Sequence, residues 1–350
     1  MIVRPHYLDL LKTYRNVPLV KILAGIRRCG KSTILDMLQD DLIKSGVPAD
    51  HIISMRYTSE DFDDGMTDKD MYNGIKEKMT DGERYYLLLD EVQEITGWEK
   101  AVNSLLENAN TDIYVTGSNS KLMSSEISTY LTGRYISIPV FTLSFAEYME
   151  FKKASGRKAK ELLTEYIRMG GFPIVALSNF DEGAAYQFVE GIYNPVITSD
   201  IMKRHNITNF DLFNRVVKYV VENEGKTFSA DAIVKFLVSL KYCIMGFNPK
   251  SVATMLENIV YFELRRKGYE VYIGKNETKE IDFVAVRRDE RIYAQVYCNL
   301  PEESDREVAN LLEIKDHYLK YAVTLDELAA GNINGVKIVH LADFLLSNDY

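Results

Sequence analysis

Residues 20–33 read VKILAGIRRCGKST, and they constrain the fold of this chain more than any other stretch. They contain the pattern G-x-x-x-x-G-K-[ST], with Gly25, Gly30, Lys31 and Ser32 at the fixed positions. A mostly apolar run precedes the loop, and apolar residues at helical spacing follow it. We expect a buried strand, a glycine loop and a helix, a geometry that aims backbone N–H groups at a polyphosphate. Lys31 would reach the β- and γ-phosphates, and the Ser32 hydroxyl would ligate Mg²⁺.

A second constellation supports the first. The apolar run 85–89 (YYLLL) ends in Asp90 and Glu91, as expected of a buried parallel strand. Such a strand delivers its last residues to the carboxyl edge of the sheet, where open α/β sheets bind ligands. Asp90 fits a direct or indirect partner of Mg²⁺, and Glu91 fits the base that polarises an attacking water.

A third predicted strand, residues 112–116, runs into a polar turn. In ATPases with an extra strand between the two motif strands, a polar residue at this place senses the γ-phosphate. Ser118 and Asn119 are the candidates, although a simple Gly-Ser-Asn turn fits the same residues. Arg134 follows Gly133 in another polar turn. It fits either an arginine finger for a neighbouring subunit's nucleotide or an ordinary surface charge.

Together these motifs resemble those of a family of prokaryotic AAA-type ATPases, whose phosphate loop reads G-[IV]-R-R-x-G-K-S-T. Further matches are the segments 90–93 (DEVQ), 116–118 (TGS), 132–134 (TGR), 143–148 (LSFAEY) and 170–173 (GGFP). The resemblance implies ATP and Mg²⁺ as cofactors and ATP hydrolysis as the activity.

The resemblance assigns residues to each role. The predicted catalytic residues are Lys31, Glu91, Asn119 and Arg134, and the predicted metal ligands are Ser32 and Asp90. The predicted ATP-binding residues are Gly25, Ile26, Arg27, Arg28, Cys29, Gly30, Lys31, Ser32 and Thr33.

Composition agrees with an ordinary globular protein of 350 residues, 46% hydrophobic and 27% charged. No apolar stretch approaches the roughly 18 residues of a membrane span, so no membrane partner is expected. The N-terminus is too polar for a secretory signal. The three cysteines, Cys29, Cys243 and Cys298, are too scattered for a disulfide framework. A cysteine inside the phosphate loop suits a reducing compartment, and we expect a cytoplasmic protein.

The chain is predicted to contain four segments of an α/β protein. Residues 1–145 form a P-loop ATPase core on a parallel sheet, 146–205 a helical lid, 206–255 a helix-turn-helix-like middle, and 256–350 a restriction-endonuclease-like α/β domain. Related proteins carry a winged helix in the third segment. Here the stretch expected for the wing is missing, because the end of the third helix (residues 252–255, VATM) is followed almost directly by the start of the last segment (residues 256–258, LEN).

The last segment resembles a PD-(D/E)xK nuclease core. Asp282 occupies the position of the metal-binding aspartate, and Glu263 lies on the preceding helix. The E-x-K position, however, reads Gln295-Val296-Tyr297. An amide replaces the second carboxylate and a phenol replaces the lysine, so the site lacks a metal ligand and a positive charge. We interpret Glu263, Asp282 and Gln295 as a degenerate nuclease site.

Charge is unevenly spread along a chain whose formal net charge is −9. Residues 40–110 hold 17 acidic and 7 basic side chains, whereas residues 202–272 hold 11 basic and 7 acidic ones. A local basic excess indicates DNA or RNA binding through 202–272, or else a solvated helical face.

Two functions remain open. One is an ATPase switch or motor that acts on nucleic acid. The other is an ATP-dependent signalling or assembly module that binds only protein, which the missing wing and the lost E-x-K favour. A homo-oligomer with Arg134 acting in trans is compatible with both.

Overall fold

The computed structural model describes residues 2–58, 65–108, 110–118, 130–153, 156–195, 213, 252–276, 279–298, 308–326, 329–347 and 350. The chain divides into two compact units, Met1–Thr142 and Leu143–Tyr350. The predicted helix-turn-helix-like region lies outside the described residues, except for Phe213 and the stretch from Val252 onward.

The first unit alternates strands and helices. Its elements are α1 (Pro5–Thr13), β1 (Val20–Gly25), α2 (Lys31–Lys44), β2 (Ile52–Arg56), α3 (Asp68–Lys78), β3 (Tyr85–Asp90), α4 (Trp98–Asn108), β4 (Thr111–Ser118) and β5 (Tyr135–Val140), with 3₁₀ turns at Ala49–His51 and Val92–Glu94.

The five strands form a parallel sheet in the order β2-β3-β4-β1-β5, which confirms the predicted fold class. β4 lies between β1 and β3, the place of the expected extra strand. Successive side chains of a strand point to opposite faces. Leu88 therefore packs with residues of α1 and α2, whereas Leu87 and Leu89 pack with residues of α3 and α4. Burial on both faces explains why these strands read as near-continuous apolar runs.

One charged side chain interrupts that apolar pattern in β1. Lys21 is fully buried, and its Nζ donates to Oδ1 of Asp112 on β4 at 2.5 Å and to the Val17 carbonyl at 2.7 Å. The second carboxylate oxygen accepts from the Tyr114 hydroxyl at 2.9 Å and the Asn16 N–H at 2.8 Å. Pairing and these hydrogen bonds let the two charges lie inside the unit.

The second unit joins helices to a mixed sheet. Its elements are α5 (Phe145–Lys152), α6 (Ala159–Met169), α7 (Pro173–Leu177), α8 (Glu182–Pro195), α9 (Val252–Arg266), β6 (Glu270–Asn276), β7 (Lys279–Arg287), β8 (Glu290–Tyr297), α10 (Ala309–Leu312), β9 (Leu319–Thr324), β10 (Gly331–Ile333), β11 (Val336–His340) and α11 (Leu341–Leu346).

The strand order of this sheet is β10-β11-β9-β8-β7-β6, with β8, β9 and β11 parallel and the outer pairs antiparallel. Residues of α5, α6, α9 and α11 share one apolar cluster with one face of the sheet, including Tyr148, Leu163, Leu256, Tyr321 and Phe344. The segment predicted as a lid therefore packs within the same unit as the C-terminal sheet.

Among the helices that the structure describes, none is both long enough and apolar enough to cross a membrane.

Candidate nucleotide-binding site

The carboxyl edge of the parallel sheet gathers the predicted site residues of the first unit. β1 ends at Gly25 and leads into the loop, while β3 ends at Asp90. Because parallel strands end at the same edge, residues distant in sequence meet there. Lys31 opens helix α2 directly after the loop, as the strand–loop–helix prediction requires.

The loop backbone takes conformations that need its sequence. Gly30 has φ 101° and Arg28 has φ 65°, so two left-handed residues flank Cys29. At Gly25 an added Cβ would lie 2.4 Å from the carbonyl oxygen of Val140 and 2.8 Å from Sγ of Cys29. Only glycine fits between the end of β5 and the loop at this position.

The first turn of α2 leaves backbone donors at the loop. In any α-helix the first N–H groups have no acceptor within the helix, and the dipole makes this end positive. Here Ile34 donates to the Gly30 carbonyl at 3.1 Å, the first hydrogen bond of the helix. The N–H groups of Lys31, Ser32 and Thr33 precede it and are suited to phosphate oxygens.

Lys31 is buried at this edge, with 4% of its surface exposed. Its Nζ donates to the carbonyl oxygens of Gly25 and Ile26, each at 3.2 Å, and lies 3.5 Å from Oε1 of Glu91. The loop carbonyls thus hold the ammonium over the loop, next to the acidic pair.

Ser32 and Asp90 come together as predicted for metal ligands. The Ser32 hydroxyl donates to Oδ1 of Asp90 at 3.1 Å, and the hydroxyl of Thr116 on β4 donates to the same oxygen at 2.5 Å. Hydroxyl and carboxylate oxygens are the donors that Mg²⁺ takes, so this pair fits the ion. The sequence does not predict Thr116 as a partner of Asp90, because the two residues lie 26 positions apart on different strands.

Glu91 follows Asp90 in a left-handed conformation, with φ 54°. Its N–H donates to the Thr116 hydroxyl at 2.9 Å, and its Oε2 accepts from Nε2 of Gln93 at 2.5 Å. A non-glycine residue at positive φ costs free energy, and it recurs at functional sites. The turn directs the Glu91 carboxylate to Lys31, beside the Ser32–Asp90 pair.

The remaining loop residues differ in exposure. Arg27 and Arg28 are exposed, Ile26 is half-buried, and Cys29 is fully buried. Burial raises the pKa of the Cys29 thiol, which disfavours the reactive thiolate.

Two further predicted residues lie on and beyond β4. Ser118 is buried at its carboxyl end, on the side of the sheet edge where Asp90 lies. Asn119 lies outside the described residues.

Arg134 lies at the opposite edge of the sheet. It directly precedes β5, whose first residue pairs with Val20 at the start of β1, whereas the loop follows the end of β1. The six residues of β1 separate the two edges by roughly 20 Å, at about 3.3 Å per residue. The half-exposed guanidinium donates to Asn103 at 3.0 Å and pairs with Glu107 on α4. The hydrogen bond from Arg134, together with its charge, lowers the pKa of that exposed carboxyl.

In the second unit, Asp282 and Gln295 face each other on β7 and β8. Nε2 of Gln295 donates to Oδ1 of Asp282 at 2.8 Å, and its Oε1 accepts from the Asp282 N–H at 3.2 Å. The Val296 N–H donates to Oδ2 of Asp282 at 2.7 Å. Burial raises the pKa of Asp282 to about 6, and the hydrogen bonds from Val296 and Gln295 oppose that rise.

Glu263 has different neighbours. It is buried on α9, and Arg266 and Lys267 lie 3.6 and 3.9 Å from its carboxylate. Burial raises its pKa, and the two cations offset part of the effect. Within the described residues, no group of three or more His, Cys, Asp or Glu side chains is placed to hold a metal ion.

The predicted nucleic-acid surface, 202–272, lies mostly outside the described residues. Of its basic side chains, the described ones are Arg265, Arg266 and Lys267 at the end of α9.

Comparison with known proteins gives matches along the chain. A family described as an AAA domain matches residues 18–149, and a domain of unknown function (DUF8612) matches residues 160–258. An uncharacterized protein of Haemophilus influenzae is 32% identical, over 99% of this chain and 99% of its own. One of Methanocaldococcus jannaschii is 25% identical, over 93% of this chain and 82% of its own.

Among solved structures, the Aeropyrum pernix ORC1 protein in complex with DNA shares 10% identity over 79% of this chain and 87% of its own, with a TM-score of 0.37. A likeness this distant does not indicate what this chain binds.

Proposed function

We propose that this chain, which belongs to the prokaryotic AAA-type P-loop ATPases, binds ATP with Mg²⁺ and hydrolyses it. The observation that carries the proposal is the convergence of Lys31, Ser32, Asp90 and Glu91 at one edge of the parallel sheet. These side chains supply the cation, the two metal ligands and the carboxylate that phosphoryl transfer to water requires.

Each residue has one task in this proposal. The N–H groups at the start of α2 and the Lys31 ammonium bind the β- and γ-phosphates. Ser32 and Asp90 hold Mg²⁺, which when bound neutralises charge on the phosphate oxygens. Glu91 orients the attacking water and accepts its proton. The Lys31 ammonium lies 3.5 Å from the Glu91 carboxylate. The phosphates of ATP therefore compete with Glu91 for the Lys31 charge.

The test is Mg²⁺-dependent phosphate release and ATP binding by the full chain, compared with Lys31→Ala. The variant should lose ATP binding, because the loop charge best placed for the phosphates is gone. Lys44→Ala, at the exposed far end of the same helix, is the matched control and should match the wild type. Equal ATP binding by Lys31→Ala and the wild type would contradict the proposed site.

For the role of hydrolysis, we propose a switch or motor that acts on DNA or RNA. The excess of basic residues at 202–272 supports it, because the net charge of the chain is −9 and the rest of the protein repels phosphates. A module that contacts only protein is the alternative.

DNA and RNA binding at low salt separates the two roles. For a duplex, the logarithm of affinity should fall against the logarithm of salt with a slope of about −0.9 per phosphate neutralised. Charge reversal at Lys241 and Lys250 should weaken binding to all sequences and make that slope shallower. If no nucleic acid binds at ~50 mM salt, where weak phosphate contacts still register, the protein-only module is the better interpretation.

A further inference from the structure

Arg4 is a buried cation that reaches the phosphate loop from the N-terminus of α1. Only 3% of its surface is exposed. Its Nη1 donates to the carbonyl oxygen of Cys29 at 3.0 Å, inside the loop. Its Nη2 donates to the carbonyl oxygens of Phe141 and Thr142, just after β5, at 3.1 and 3.3 Å. The guanidinium carbon lies 4.5 Å from the ring centroid of Tyr7.

Such a side chain can hold several backbone groups in one arrangement. A guanidinium presents five N–H donors in a planar, rigid fork, so its three carbonyl partners are fixed relative to one another. Arg4 thereby fastens the loop at Cys29 to the chain that follows β5. The sequence gives no sign of this role, because Arg4 stands alone before Pro5 and far from the loop motif.

The part of the loop that Arg4 holds has an unfavourable backbone conformation on both sides. Cys29 lies between Arg28 and Gly30, both at positive φ. A positive φ costs an arginine free energy, whereas a glycine adopts positive and negative φ about equally readily. Contacts that fix the Cys29 carbonyl therefore fix the orientation of the peptide group between Cys29 and Gly30.

The geometry of that peptide links Arg4 to the phosphates. In a trans peptide the C=O and the N–H point in opposite directions. The Cys29 carbonyl points to Arg4, so the Gly30 N–H points away from it. We propose that Arg4 is a positioning residue, which turns the Gly30 N–H toward the phosphates by anchoring the Cys29 carbonyl. This inference rests on the proposed binding of ATP at the loop.

A merely structural role for Arg4 would be to fasten α1. Tyr7→Phe isolates that role, because the Tyr7 hydroxyl accepts from the Phe141 N–H at 3.0 Å while the ring under Arg4 is kept. Tyr7→Phe thus loosens α1 and leaves the Arg4–Cys29 contact in place. Arg4→Gln removes the fork, and Arg4→Lys keeps the charge but not the three directed donors.

The experiment measures the ATP dissociation constant of these full-length proteins, together with thermal melting to check that each is folded. It also measures the rate at which iodoacetamide labels Cys29, followed by peptide mass mapping. Arg4→Gln should weaken ATP binding at least about tenfold, the loss expected for one charge-assisted hydrogen bond. Iodoacetamide should also label Cys29 faster in this variant than in the wild type. Arg4→Lys should fall between it and the wild type, and Tyr7→Phe should match the wild type in both measurements.

The inference is overturned if folded Arg4→Gln binds ATP and labels at Cys29 as the wild type does, or if Tyr7→Phe loses as much affinity. If Arg4→Gln does not fold, Arg4→Lys decides, and wild-type affinity in that variant overturns the inference. Failure of the wild type itself to bind ATP would instead contradict the proposed function.

Discussion

The hydroxyl of Ser32 donates to Oδ1 of Asp90 across 3.1 Å, so the first turn of α2 meets the last residue of β3. Thr116 donates to the same carboxylate oxygen from β4. Two hydroxyls, one on a helix and one on the neighbouring strand, thus hold the same oxygen of Asp90. The Asp90 carboxylate would bring a negative charge to Mg²⁺, which a neutral amide would not.

Asp90→Asn tests this arrangement, because the Asn carbonyl still accepts from Ser32 and Thr116 but has no charge for the metal. We expect the variant to fold and to retain weak ATP binding without Mg²⁺. The gain in affinity that Mg²⁺ gives the wild type should be lost. Titration of ATP with and without Mg²⁺ measures this gain. Asp40→Asn, which changes an exposed carboxylate on the same helix α2, is the control, and an undiminished Mg²⁺ effect in Asp90→Asn would remove Asp90 from the metal site.

Glu91→Gln should bind ATP but turn it over about 10²- to 10⁴-fold more slowly, the usual contribution of a general base. The Gln side chain keeps the size of Glu91 and loses the carboxylate that accepts the proton of the water. Steady-state phosphate release and ATP binding, measured on the same preparation, separate the two effects. Glu94→Gln changes a neighbouring exposed carboxylate and should leave turnover unchanged. Wild-type turnover in Glu91→Gln would exclude Glu91 as the base.

Much of the first unit could be predicted from the sequence because its signals are local. The apolar runs before Gly25 and Asp90 are buried strands, and both lead to the sheet edge that the phosphate loop requires. Trp98, Val102 and Leu105 are spaced four and three residues apart, as on one face of an amphipathic helix, and they form the buried face of α4.

Other features could not be predicted, because they depend on contacts between residues far apart in the chain. Arg4 reaches Cys29, and Lys21, the second residue of an otherwise apolar strand, reaches Asp112. Nothing in the local sequence distinguishes such a lysine from one at the surface. Glu263 likewise fits a nuclease by its place on a helix, but its charged contacts are the cations one turn further along that helix.

Arg134 is predicted to act on the nucleotide of a neighbouring subunit, since it lies at the edge of the sheet opposite its own phosphate loop. Arg134→Ala should then lower the turnover of the assembled protein by about 10³- to 10⁵-fold, as arginine fingers do. Mixing it with Lys31→Ala should restore part of the activity, because one chain contributes the loop and the other the arginine. Phosphate release at several mixing ratios measures the recovery.

The surface pair of Arg134 supplies the control for that experiment. Glu107→Gln removes its partner on α4 and keeps the guanidinium, so this variant should retain activity. An absence of recovery in a mixture shown to co-assemble would argue against action in trans.

The second unit is predicted not to cut DNA. Gln295 presents an amide to Asp282 where a nuclease needs a second carboxylate. Its Nε2 donates a hydrogen bond to Oδ1 of Asp282, an oxygen that a metal would otherwise use. Purified protein should leave supercoiled plasmid intact with Mg²⁺ or Mn²⁺, as scored on a gel. Reproducible nicking that disappears in Asp282→Ala would show that the site is active.

Asp282 should also make the stability of the protein depend on pH. Its pKa is about 6 in the folded chain, against 3.8 for an unperturbed aspartate as in the unfolded chain, because burial disfavours the charged carboxylate. Between these values the folded state binds more protons than the unfolded state, so stability falls as pH rises from about 4 to about 6. Above that range the buried charge costs up to about 3 kcal/mol. Asp282→Asn removes the charge, and its carbonyl can still accept from the Val296 N–H. Its amide would face Nε2 of Gln295, so the Gln295 amide must turn round and give up its hydrogen bond from the Asp282 N–H. That loss is the same at every pH, whereas the relief of the buried charge applies only where Asp282 is ionised. The stability of the variant relative to the wild type should therefore be higher at pH 7.5 than at pH 4, measured as the difference in urea midpoint. A difference that is the same at both pH values would mean that Asp282 titrates normally in the folded protein.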